Sequence, residues 1–96
     1  MAAGNVFNKG IELVAVDGFF NIRPSIGTEA VIHNITHSEA ATLEFYDGNN
    51  YVATDSQDEA GCWMGMFLHC TYDKYYRVRN TSGLVNSVCC DGVQTL

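Results

Sequence analysis

Polar and apolar residues along this chain alternate in short runs with a period near two, and turn residues interrupt the runs every few positions. Thr42–Tyr46 is the clearest case, with Leu43 and Phe45 on one side of an extended backbone and Thr42, Glu44 and Tyr46 on the other. Tyr75–Arg79 repeats the pattern: Tyr76 and Val78 read inward, Arg77 and Arg79 outward. Further strands are predicted over Ile11–Val16, Phe19–Arg23, Glu29–His37, Tyr51–Thr54 and Leu84–Cys90. Asp17-Gly18, Pro24-Ser25-Ile26-Gly27, Asp47-Gly48-Asn49-Asn50, Asn80-Thr81-Ser82-Gly83 and Asp91-Gly92 supply the turns between them. Cys62–Tyr72 is apolar on both faces and reads as a central strand. No stretch keeps apolar residues at helical spacing. The pattern predicts an all-β fold: a small antiparallel β-sandwich or a jelly-roll-like barrel spanning residues 10–96. Met1–Lys9 carries no pattern and is expected to be a flexible N-terminal arm.

Composition narrows the function classes. The chain has 96 residues, 47% hydrophobic and 17% charged, which is far from the composition of disordered chains. Its 11 acidic residues against 5 Lys+Arg give a net charge of −6, which disfavours a nucleic-acid partner. The chain has no apolar run long enough for a membrane-spanning helix, and its first residues lack the pattern of a secretory signal. The expectation is a soluble, unsecreted domain. In that setting Cys62, Cys70, Cys89 and Cys90 read as reduced thiols packed as small hydrophobes. Two other readings stay open: a zinc site, which the lack of C-x-x-C spacing disfavours, and disulfides formed after release into an oxidising medium. Cys89 and Cys90 point to opposite faces of a strand and are not expected to bond each other.

Residues that could carry chemistry each have a structural reading. His33 and His37 would share a strand face about 13 Å apart, too far for one metal ion. They are expected to be surface or hydrogen-bonded histidines, and His69 a satisfied core or interface histidine. The acidic run Asp55-Ser56-Gln57-Asp58-Glu59 lacks the spacing of a calcium loop and reads as solvated loop. Asp47, Asp73 and Asp91 sit in turn-like contexts rather than as paired catalytic acids. No nucleophile elbow, P-loop or dinucleotide fingerprint is present, so the chain is read as non-enzymatic, with no catalytic, cofactor-binding or metal-ligating residues. Asn34-Ile35-Thr36 and Asn80-Thr81-Ser82 match the glycosylation pattern by chance in an unsecreted protein. Tyr46, Tyr51, Trp63, Tyr72, Tyr75 and Tyr76 suit either subunit interfaces or stacking on sugar rings.

Two stretches carry a resemblance. One runs through Phe20-Asn21-Ile22-Arg23-Pro24-Ser25, Glu29-Ala30-Val31-Ile32-His33-Asn34-Ile35 and Leu43-Glu44-Phe45-Tyr46-Asp47-Gly48. The other runs from Tyr75-Tyr76-Arg77-Val78-Arg79-Asn80-Thr81-Ser82-Gly83 to Asp91-Gly92-Val93-Gln94-Thr95. Together they resemble the small all-β virion proteins of tailed bacteriophages, in particular head decoration, or cement, proteins. Cys89-Cys90 departs from that pattern, which has an aromatic or small residue there. The resemblance implies a structural protein made in the host cytoplasm and placed on the capsid surface. It would bind the major capsid protein, assemble as a homo-oligomer (dimer or trimer), and need no cofactor. Arg77, Arg79 and Tyr75 are the expected subunit contacts, the arginines meeting a neighbour's carboxylates. The alternative is a carbohydrate-binding β-sandwich module on the virion surface, using exposed tyrosines.

Overall fold

The computed structural model describes residues 4–96. Its strands are β1 (Val6–Val14), β2 (Phe19–Ile22), β3 (Glu29–His37), β4 (Ala41–Tyr46), β5 (Tyr51–Gln57), β6 (Gly61–Trp63), β7 (Leu68–Thr71), β8 (Tyr75–Asn80) and β9 (Asn86–Gln94). They form two antiparallel sheets. One has the order β1-β9-β3, with β6 and β7 both on the far side of β3; the other has the order β2-β8-β4-β5. The sheets pack face to face as a β-sandwich and do not close into a barrel. Phe20, Ile22, Leu43 and Val78 from one sheet meet Ala30, Ile32, Ile35, Val88 and Cys90 from the other in the core.

The alternation read in Thr42–Tyr46 and Tyr75–Arg79 is realised. Leu43 pairs with Val78 and Glu44 with Arg77, so one row faces the core and the next the outer surface. Four expectations need correction. Val6–Lys9, expected to belong to a patternless arm, is the first half of β1 and pairs with Cys90–Val93. The remainder of that segment at Met1-Ala2-Ala3 lies outside the described residues. Cys62–Tyr72 is not one central strand: β6 and β7 are separated by an irregular stretch in which Met64 and Phe67 are 72% and 81% exposed. Gly65, at φ 67°, turns the backbone out of line there. Asp91-Gly92 is not a turn, because β9 runs straight through it to Gln94. Asp55–Gln57, read as loop, extends β5 along β4.

The register of β3 explains a fifth correction. Ile32 pairs with Gly92 and Asn34 with Asp91, leaving His33 as an extra residue in a bulge. The bulge reverses the inward–outward phase, so Ile35 and His37 are buried along with Ile32 while His33 is half-buried. His33 and His37 therefore do not share a face. Gly92 makes the bulge possible: a Cβ there would meet the Val31 carbonyl oxygen at 2.1 Å and the Ile32 Cα at 2.8 Å.

One end of the sandwich is closed by two buried asparagines. Asn80 Nδ2 donates to the carbonyls of Val14, Ala15 and Leu84, and its Oδ1 accepts from the Ser82 N–H and hydroxyl. Asn86 Oδ1 accepts from the Ser38 and Glu39 N–H groups while its Nδ2 donates to the carbonyls of Glu39 and Ala40. Both amides are fully engaged, as burial requires. Asn80 thus has a structural use for the side chain that the glycosylation pattern singled out.

Candidate functional site

The outer surface of the β2-β8-β4-β5 sheet gathers all three arginines of this acidic chain. Register sets the rows: Phe19 lies opposite Arg79 and Asn21 opposite Arg77 on β8. On the other side of β8, Thr42, Glu44 and Tyr46 lie opposite Arg79, Arg77 and Tyr75. Tyr51 of β5 lies beside Tyr46. Arg23 follows β2 directly and reaches the Tyr72–Tyr75 end of the same face.

Glu44 is the centre of this grid. It sits on the outer face, yet it is 1% exposed because the two arginine side chains close over it. Arg77 Nε donates to Glu44 Oε1 at 2.9 Å, and Arg79 Nε donates to Oε2 at 2.7 Å. Arg79 Nη2 adds a longer bond to Oε1 at 3.4 Å. The hydrogen bond to Glu44 raises the Arg79 pKa, against a smaller opposing effect of burial.

The rings complete the arrangement. The Arg77 guanidinium lies 4.0 Å from the Phe19 ring centroid and 4.3 Å from that of Tyr46. Arg79 lies 4.6 Å from Phe19 and 5.0 Å from Tyr51. Arg23 stacks on Tyr72 at 3.7 Å and donates from Nε to the Tyr72 carbonyl. Tyr46 and Tyr75 meet edge to face at 5.6 Å. Each guanidinium is thus held between a flat π-surface and an acceptor, the environment this group favours.

The expected contact residues fare differently. Arg77 and Arg79 stand on the outer face as read, but the carboxylate they meet is Glu44 of their own chain. Tyr75 is buried, and its ring is covered by Arg23 and Tyr46. Glu44 itself escaped the sequence reading; its only signal was a lone acid in a strand whose cross-strand partners are set by long-range pairing. Arg23, noted there only as the end of a predicted strand and in the resemblance, belongs to the same face for the same reason.

The histidines and thiols occupy other places. His69 is exposed at the sheet edge rather than in the core, paired with Glu29 at 2.6 Å. His37 is buried against Trp63. Cys70 and Cys90 are buried, Cys89 half-buried and Cys62 exposed, and none of the four is in a disulfide. Burial pushes the Cys70 thiol up to about 11 and that of Cys90 up to about 12. Among the described residues, no group of three His, Cys, Asp or Glu side chains is placed to hold a metal ion. No family model matches the sequence, and no curated protein is significantly similar to it.

Proposed function

We propose that this chain is a structural virion protein that decorates a capsid lattice and acts by contact rather than by catalysis, with the arginine–aromatic face as its gripping surface. The observation that carries the reading is the collection of every arginine of a −6 chain on one sheet face, each stacked against a tyrosine or phenylalanine. Arginine and tyrosine are the residues that most often dominate binding energy at protein interfaces. Their side chains here are ordered by folding, so little conformational entropy remains to be lost on docking. Glu44 takes one N–H from Arg77 and two from Arg79. A guanidinium has five donors, and the others would meet acceptors on the major capsid protein or on a second copy of this chain.

The same packing counts against a sugar-binding module. A sugar stacks on an open ring face, whereas here guanidinium groups cover Phe19, Tyr46 and Tyr72. A decoration protein that binds only the assembled lattice stabilises it by mass action, without any cofactor.

The test is co-sedimentation of the protein with undecorated particles, together with heating of particles that do and do not carry it. Tyr51 is 54% exposed at the rim of the face, so Tyr51→Ala should leave the fold intact. It should weaken co-sedimentation by about tenfold, the scale of one interface aromatic. Particles without the protein should rupture at lower temperature. Undecorated particles of unchanged heat resistance, or no co-sedimentation of the wild-type chain, would overturn the reading.

A further inference from the structure

β1 is a free edge of its sheet, and its composition sets it apart from the rest of this acidic chain. Residues 4–16 carry one base, Lys9, and one acid, Glu12, while the whole chain stands at −6. Val6, Ile11 and Leu13 on this strand are 68%, 75% and 72% exposed, so aliphatic side chains line an open edge. An edge of that kind is a template for pairing with another strand.

The backbone has free groups to offer there. Odd-numbered residues of β9 and its continuation turn toward β3: the Thr95 N–H donates to the Glu29 carbonyl, and the Ser87 carbonyl accepts from the Ser38 N–H. Even-numbered ones turn toward β1, as the Gln94 N–H does in donating to the Asn5 carbonyl. Asn8 lies opposite Asp91 and Leu13 opposite Ser87. Such pairs do not bond each other in an antiparallel ladder, so the N–H and C=O groups of Asn8 and Leu13 point away from β9, into the open edge.

The bulge at Gly10-Ile11 decides which partner fits. Asn8 and Leu13 are five residues apart in sequence and would lie on opposite faces of a regular strand. The extra residue brings both to the outer face. It likewise places Lys9, opposite buried Cys90, and Glu12, opposite buried Val88, together on the inner face. A two-fold axis through the bulge then sets Asn8 opposite Leu13 of a second copy and Lys9 opposite its Glu12, with faces and backbone phase matched at each position. Only this register opposes Lys9 to Glu12; an axis centred on Lys9 or on Glu12 opposes like charges. A bulge and a charge deter pairing with an arbitrary strand, but here both are symmetric about one point, and the same strand reversed mirrors them.

We propose that β1 is a self-recognition edge: two copies of this chain pair antiparallel through it about a two-fold axis at Gly10-Ile11, giving one continuous sheet across the dimer. Asn8 and Leu13 exchange N–H···O bonds at both ends, Lys9 meets Glu12 on the inner face, and Ile11 meets its counterpart at the axis. The interface is isologous, so it closes at two copies. It is separate from the arginine–aromatic face, which belongs to the other sheet and stays open for a different partner. One pair of strand edges is a small interface, and the dimer forms at about 10–100 µM chain.

Sedimentation equilibrium of the full chain from about 1 µM to about 1 mM measures this directly, in reductant so that the exposed Cys62 cannot link copies. Asn8→Pro removes an N–H that faces the open edge and none that β9 uses. It should weaken the dimer at least about tenfold at an unchanged urea midpoint. Charge reversal reads the register without relying on proline. Glu12→Lys and Lys9→Glu, each checked as folded by circular dichroism, should weaken self-association, since each opposes like charges. Mixing the two variants restores both pairs and should give a heterodimer about as tight as the wild-type dimer. A chain that stays monomeric throughout, a dimer that Asn8→Pro leaves at wild-type strength, or a mixture of folded variants no tighter than its components would overturn the self-recognition edge.

Discussion

Glu44 shows how one residue can organise a surface. A carboxylate on the outer face of a sheet would ordinarily be solvated, but here two guanidinium groups and the surrounding rings remove it from water. Its pairs are worth having only while both charges are present. Glu44→Ala leaves Arg77 and Arg79 side by side without their shared counter-charge, and should destabilise the fold by about 3 kcal/mol in urea unfolding. Changing both arginines to Ala should cost about 1–3 kcal/mol, moderated because the double truncation also opens Glu44 to water. The thiols make a second residue-scale prediction. Cys62 is exposed and should react first with a thiol reagent in the native protein, while buried Cys70 and Cys90 should react last. Unfolding should expose four free thiols. The pH sign follows from the raised values of about 11 and about 12. The unfolded chain gives up these protons near the ordinary 9.0, before the native chain does, so stability should fall as pH rises above that value. A stability flat through alkaline pH up to about 11 would contradict the burial of these thiols.

At the scale of elements, alternation was readable wherever a strand lies flat between one buried and one solvated face. Thr42–Tyr46 and Tyr75–Arg79 are such strands, and their inward and outward rows are as the sequence implied. Two kinds of feature were not readable. Bulges insert a residue without a compositional mark, as at His33 in β3 and at Gly10-Ile11 in β1, and everything beyond them changes face. Apolarity also fails as a burial signal when the backbone leaves the sheet: Met64 and Phe67 lie in the most hydrophobic run of the chain yet point to solvent, Phe67 leaning on His33. The grid around Glu44 was hidden for a third reason, since it depends on which strands become neighbours. Gly92 is where the bulge can be tested directly. Gly92→Ala drives a methyl group into the backbone of β3 at Val31, which cannot move aside as a flexible side chain could. It should cost about 3 kcal/mol, measured as a lowered urea midpoint, at the upper end for overpacking a well-filled site. A midpoint within error of wild type would mean that β3 and β9 are not in this register.

At the scale of the whole molecule, the two sheets are held together by the core and by a few bonds along the open sides, and β1 is the strand on which one side depends. Phe7 packs against the core from β1, opposite Gly92. Lys9 crosses between the sheets: its Nζ donates to the Asn21 carbonyl of β2 at 2.5 Å and lies 4.6 Å from the Phe20 ring. The ladder continues before β1, with the Gly4 N–H donating to the Gln94 carbonyl and the Gln94 N–H to that of Asn5. Deleting residues 1–9 therefore removes more than an appendage. It strips half of an edge strand, exposes the edge of β9, and removes the tie to β2. Full burial of a phenylalanine side chain is worth about 1.5–3 kcal/mol; Phe7 is partly buried and gains part of that, and the lost ladder adds to it. The truncated protein should be less stable than the full chain by about 3 kcal/mol, and Phe7→Ala alone by about 2 kcal/mol, read from urea midpoints at constant slope. This bears on any role of the N-terminal segment in attachment. If truncation weakens binding to a capsid lattice only in proportion to the unfolded fraction, the segment acts by holding the sandwich closed. If binding falls while the truncated chain unfolds at the wild-type midpoint, the segment is a docking arm and the structural role assigned to Phe7 and Lys9 is wrong.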